Sequence, residues 1–175
     1  EEVDNFANII RLVKGLNSNI KNKIKFRVKG VYSINSEKIF SDFFGKKSID
    51  PGPTYGPYYK SLLNSRMAII FYPQTSFSES LFLNVPTILV CKKETMQFEK
   101  SSLEIFNLLK KNKMAFENFN EATLHINNIW NTTDQWWNST NVQKARGKYL
   151  NNFFRVKLNW YEEWSNYIKS INNSK

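Results

Sequence analysis

The chain has 175 residues, 41% apolar and 15% aromatic, enough for one domain with a real core, or one domain plus a helical tail, and too apolar for bulk disorder. It carries 25 Lys+Arg against 15 Asp+Glu, a formal charge of +10. One cysteine, Cys91, excludes an internal disulfide, and one histidine, His125, argues against a soft-ligand zinc site and would have to serve any Ser-His-Asp triad. No run approaches the ~18 apolar residues of a membrane span. The charge excess is mostly Lys, in a chain rich in Lys and Asn throughout. A biased, AT-rich coding sequence gives that composition, so the charge reads first as background and second as a footprint for RNA or an anionic surface.

In chain order, Phe6, Ile9, Ile10, Val13 and Leu16 form one helical stripe, with Asp4 as a candidate N-cap. From Lys23 to Lys29, the apolar residues Ile24, Phe26 and Val28 alternate with basic ones, which predicts a strand with one basic face. Residues 35–44 read as a helix closed by Gly45, and Ser48-Ile49-Asp50 as a short strand. Pro51 to Pro57 is a Pro/Gly-dense loop. Residues 58–65 predict a short helix, and 67–72 a strand buried on both faces. After a turn at 73–76 come a helix over 77–84 and a buried strand over 86–91. Ser101-x-x-Glu104 is a capping box for a helix to about Lys111, 113–116 a short strand, and Asn120 the cap of a helix ending at Trp130. Two further helices, 138–154 and 158–171, make a Trp-rich tail. Alternating helix and strand predict an α/β fold, a Rossmann-like parallel sheet with helices on both faces, over 1–135, with the helical tail over 136–175.

Ligands of open parallel sheets bind beyond the carboxyl ends of the strands. The turn Tyr72-Pro73-Gln74-Thr75-Ser76 is the best such place, because a helix N-terminus offers unpaired N–H groups and a favourable dipole to an anion. Thr75 and Ser76 would hold a phosphate, and Glu79 a pair of ribose hydroxyls. Ser76-x-x-Glu79 is equally a capping box that needs no ligand. Arg27 and Lys29, at the end of the basic strand, could face the same crevice, and the loop from Asp50 to Gly56 could fold over a base or sugar. Lys21, Lys23 and Lys25 read as an exposed, protected edge. No Gly-rich phosphate loop is present, which excludes a Rossmann dinucleotide site or a P-loop. His125 reads as structural or solvent-facing, Cys91 as an inert core thiol, and the tryptophans as packing rather than carbohydrate platforms. The sequons at Asn131 and Asn138 are what a chain this rich in Asn produces by chance.

The run Ser61-Leu62-Leu63-Asn64-Ser65-Arg66-Met67-Ala68-Ile69-Ile70, followed by Thr75-Ser76-Phe77-Ser78-Glu79-Ser80-Leu81 and Asn84-Val85-Pro86-Thr87-Ile88, resembles the C-terminal half of GT-B glycosyltransferases. With Trp136-Trp137 and Trp160-Tyr161-Glu162-Glu163-Trp164, it is similar to transferases of bacterial surface-polysaccharide loci over about residues 55–168. The resemblance implies a domain that binds a nucleotide-sugar donor, with Thr75, Ser76 and Glu79 at the motif positions. Arg27 and Gln74 complete the expected donor-nucleotide site. No catalytic residue is implied, nor a metal, and the nucleotide sugar is a substrate rather than a cofactor. Relatives using CMP-activated acidic sugars carry a His-Pro pair where this chain reads Arg27-Val28, and Arg27 can neutralise a phosphate or carboxylate. The size implies one half of a two-domain enzyme, inactive without an N-terminal domain, with a glycan or lipid-linked acceptor. The implied location is cytoplasmic, peripheral at the inner membrane, and nucleic acid is not an expected partner. The alternative is a basic module that binds RNA or an anionic surface without catalysis.

Overall fold

Three short strands, β1 (Ala68–Ile70), β2 (Thr87–Val90) and β3 (Ala115–Phe116), pair in parallel in the order β1-β2-β3. Ala68 lies beside Thr87 and Ile70 beside Leu89, while Leu89 lies beside Ala115 and Val90 beside Phe116. The computed structural model describes residues 2–28, 35–50, 58–92, 100–156 and 159–172. Ahead of the sheet come α1 (Glu2–Gly15), α2 (Ser18–Lys21), α3 (Ser36–Phe44) and α4 (Tyr58–Leu63). Helix α5 (Thr75–Phe82) lies between β1 and β2, and α6 (Lys100–Lys111) between β2 and β3. After β3 follow α7 (Phe119–Ile129), α8 (Thr133–Trp137), α9 (Thr140–Phe153) and α10 (Trp160–Asn172). The fold is α/β, as the alternating patterns predict, and mostly helical.

Strand β2 is buried along its whole length. Because side chains alternate along a strand, Ile88 and Val90 enter one core and Leu89 and Cys91 the other. The first core is closed by Ile9, Leu12 and Val13 of α1, by Leu16 just after it, and by Phe119, Ala122 and Ile126 of α7. These two helices approach closely at Gly15, where an added Cβ would lie 2.9 Å from Thr123 Cγ2. Asn127 ties the same junction from α7, donating to the Gly15 carbonyl at 3.0 Å and accepting from the Asn17 N–H at 2.8 Å.

The second core is closed by α5, α6 and α9, through Phe77, Leu81, Leu109, Ala145 and Tyr149. Tyr149 and Ser78 share a buried hydroxyl–hydroxyl hydrogen bond of 2.9 Å. Arg146 donates to the Leu81 and Phe82 carbonyls at 2.6 and 3.4 Å, so a cation from α9 satisfies the end of α5. Trp137 donates to both oxygens of Asn84, a residue with φ +57° that turns the chain from α5 towards β2. The helices over 136–153 thus pack on the sheet domain. Helix α10 differs: Trp160, Trp164, Tyr167 and Ile168 are all more than half exposed, so its aromatic stripe is largely open to solvent.

Several local expectations change. The strand predicted over 23–29 is reduced to one parallel bridge from Phe26 to Ile49, in which Phe26 donates to the Ser48 carbonyl at 2.7 Å and accepts from the Asp50 N–H at 2.9 Å. The short strand expected at 48–50 is a 3-10 turn over Lys46–Ser48 followed by that bridge. Lys29 and the loop over 51–57 lie outside the described residues. The apolar run over 67–72 yields a three-residue strand whose Ile69 and Ile70 are only half-buried, because β1 is a sheet edge. Helix α6 begins at Lys100, which puts Ser101 inside it, and Asn118 rather than Asn120 caps α7 by accepting from the Asn120 and Glu121 N–H groups.

His125 is not solvent-facing. Its ring lies between Phe116 and Trp136, with centroids 5.3 and 5.4 Å away, and its buried Nε2 has no hydrogen-bond partner. Burial, and next the Lys113 charge, hold its pKa down at about 4. The unfolded imidazole titrates near ~6.5, so the unfolded chain binds the proton first as pH falls. This contribution to stability is complete above pH ~6.5 and is lost as pH falls towards ~4, by about 2–3 kcal/mol. Urea denaturation at pH 7 and pH 4.5 is expected to show this loss in the parent chain and a correspondingly smaller one in His125→Phe.

Candidate functional site

A cleft of about 960 Å³ runs along the outer edge of β1. One wall is the consecutive stretch Met67 to Tyr72, and the other is built from α1, α3 and the Phe26–Ile49 bridge. The segment over 24–28 reaches Ile49 but does not pair with β1, so the edge of the sheet stays open to this space. The floor is apolar, with Phe6, Ile9, Phe26, Phe40, Leu62 and Ile69. Phe26 stacks on Phe40 with ring centroids 4.3 Å apart and on Phe44 at 5.2 Å, which fixes that wall. Size and lining suit a small organic ligand with an apolar part and a few convergent polar groups at one end.

The polar end lies beyond the carboxyl end of β1, where α5 begins. Gln74 stands at the N-cap position, and its carbonyl accepts from the Phe77 and Ser78 N–H groups at 3.0 and 3.2 Å. Helix α5 starts at Thr75, so Ser76 lies in its first turn and cannot act as an N-cap; the capping box Ser76-x-x-Glu79 is not formed. Ser76 instead lies close enough to Tyr58 to act on its hydroxyl. Gln74 and Ser76 line the cleft, whereas Thr75 is exposed and does not. Glu79 is half-buried one turn along α5, close enough for its charge to act on Tyr58.

Arg27 reaches the same end from the far wall. Its Nη1 donates to Ser61 Oγ at 2.9 Å and to Asp50 Oδ2 at 3.3 Å, and its guanidinium lies 5.4 Å from the centroid of the Tyr58 ring. The Arg27 and Asp50 side chains are 18% and 19% exposed, so this pair is largely desolvated and couples more strongly than a surface ion pair. Tyr58 has its pKa pushed up to about 12, by burial first and then by the Glu79 carboxylate, against the Ser76 side chain and the Arg27 charge. The phenol therefore stays protonated across the physiological range.

A family model described as LIC12162 family transferase matches residues 1–168. The chain belongs to the LIC12162 family of transferases. No curated protein and no solved structure matches it. Of the five residues expected to bind a donor in this transferase, Arg27, Gln74 and Ser76 share one cleft, Glu79 stands beside it and Thr75 faces solvent. Tyr58 and Ser61 were not singled out by sequence pattern. Their only signal was position, since an aromatic and a hydroxyl one turn apart open the helix that follows the Pro/Gly loop.

Elsewhere in the transferase, Cys91 is 4% exposed with its thiol pushed up to about 11 by burial and then by Glu117, in keeping with an inert core position. No cluster of three or more His, Cys, Asp or Glu that could hold a metal occurs among the described residues. No helix there is long and apolar enough to cross a membrane.

Removing Arg27 leaves Asp50 half-buried without this cation. Arg27→Ala is expected to lower the unfolding free energy by about 1–3 kcal/mol, and a urea-denaturation double-mutant cycle with Asp50→Asn to give a coupling of about 1 kcal/mol. An Arg27→Ala cost that is unchanged in the Asp50→Asn background would mean that the two groups do not depend on each other.

Proposed function

We propose that the cleft holds the nucleotide of an activated sugar, and that the chain is the donor-binding half of a GT-B-type glycosyltransferase building a bacterial surface glycan. The observation that carries this reading is the meeting of Arg27 with Gln74 and Ser76, far apart in sequence, at one polar end of one cleft. In this reading the donor phosphate sits between the Arg27 guanidinium and the first turn of α5, where backbone donors and the helix dipole favour negative charge. Thr75 contributes through its backbone, and Glu79 takes ribose hydroxyls. The apolar floor accepts the base or the sugar. The same cation and dipole would stabilise the charge that develops on the phosphate as the sugar departs.

The charge balance favours a donor with a single phosphate. Arg27 is faced by Asp50, and the Glu79 charge acts on the neighbouring Tyr58, a setting that accommodates one phosphate more readily than a diphosphate. A CMP-activated acidic sugar fits that description, with Arg27 in the place of the His-Pro pair of related enzymes. Residues 1–135 then form the donor domain, and 136–175 pack on it or on an N-terminal domain of the same enzyme. The acceptor is a glycan or a lipid-linked glycan, and the enzyme works in the cytoplasm, peripherally at the inner membrane. The competing reading, a basic module for RNA or anionic surfaces, rests on the +10 charge.

Thermal denaturation with CMP, UDP and GDP distinguishes the two. CMP at about ten times its dissociation constant is expected to raise the melting temperature by about 3–6 °C, and Ser76→Ala or Glu79→Ala to reduce that protection. Absence of protection by all three nucleotides, together with polyanion binding that falls steeply with salt, would favour the basic module instead.

A further inference from the structure

We infer that Tyr58 is a positioning residue for the donor phosphate, holding the Arg27 guanidinium against its ring so that the cation addresses the anionic group. This inference rests on the nucleotide-binding reading proposed above. Tyr58 opens α4 and lines the same cleft as Arg27. Its ring meets the guanidinium at 5.4 Å, within cation–π range. Ser61, one turn further along α4, takes the 2.9 Å hydrogen bond from Arg27 Nη1. Helix α4 therefore grips Arg27 at two points.

The chemistry of a phenol suits this task. A phosphate site gains from donors and cations and loses from nearby negative charge. Tyr58 remains a neutral donor beside Glu79, because burial and that carboxylate both oppose its ionisation. It orients a cation without bringing an anion of its own. A lysine or carboxylate at position 58 would change the charge of the site, and an aliphatic residue would release the guanidinium.

Calorimetric titration of the full chain with CMP and with cytidine tests the assignment, since the two ligands differ only in the phosphate. Tyr58→Phe keeps the ring under Arg27, so CMP and cytidine affinities are expected to stay within about twofold of the parent chain. Tyr58→Leu removes the ring and is expected to weaken CMP about fivefold while sparing cytidine. Equal weakening of CMP and cytidine by Tyr58→Leu would reveal a merely structural role and overturn the inference. So would CMP affinity that survives Tyr58→Leu but is lost in Arg27→Ala, and in that case nucleotide binding would still stand. No binding of CMP, UDP or GDP by the parent chain would overturn both.

Discussion

A strand buried on both faces must find a helical layer for each, and the fold is organised around that demand from Thr87–Val90. Ile88 and Val90 draw α1 and α7 together on one side, while Leu89 and Cys91 draw α5, α6 and α9 on the other. The close approach at Gly15 and the Asn127 clamp lock the first layer, and Tyr149 with Arg146 lock the second to α5. Because α5 is held at its carbonyl end by Arg146 and along its length by Phe77 and Leu81, its first turn is a fixed platform beside the edge of the sheet. The stability of the buried layers thus becomes precision at the polar end of the cleft.

The cleft itself follows from incomplete sheet formation. Phe26 and Ile49 make a parallel bridge but do not extend the ladder to β1, so the space beside Ala68–Ile70 opens into a ligand-sized cavity. An apolar floor alone would be an ordinary packing defect. Arg27, Asp50, Tyr58 and Ser61 make it a candidate site, since Arg27 engages each of the other three and its ion pair with Asp50 is largely removed from water. Membership of a transferase family sets the reaction class, and the donor-nucleotide reading proposes how this cleft would serve it.

Much of the architecture was legible in the sequence because buried strands and amphipathic helices impose strong periods. The run 86–91 and the stripe from Phe6 to Leu16 could scarcely be read otherwise, and β2 and α1 occupy them. The segment from Lys23 to Lys29 shows where period fails. Its alternation correctly buries Phe26, but a strand also needs a partner, and partners depend on tertiary placement that local pattern does not encode. The capping signals failed for a similar reason: Ser76 is one hydroxyl among several near a helix start, and the residue that stands at the N-cap position is Gln74. Arg27 and Ser76 were found by position at strand and helix ends. Tyr58 and Ser61 were not, because nothing in a linear pattern says that a residue of α4 will stand between them. The tail divides likewise, with Trp137 packed by its hydrogen bonds to Asn84 and Trp164 exposed on a helix of the same aromatic character.

The central claim is that the polar end of this cleft, rather than the basic surface at large, is where the chain meets its anionic ligand. A heteronuclear NMR titration of the full chain with CMP tests it most directly, because it reports every amide at once. The account predicts saturable shifts concentrated at Arg27, Tyr58, Gln74 and Ser76, with α10 and the lysine-rich surfaces unmoved at constant ionic strength. Shifts scattered over exposed lysines, or confined to Trp160 through Asn172, would contradict it.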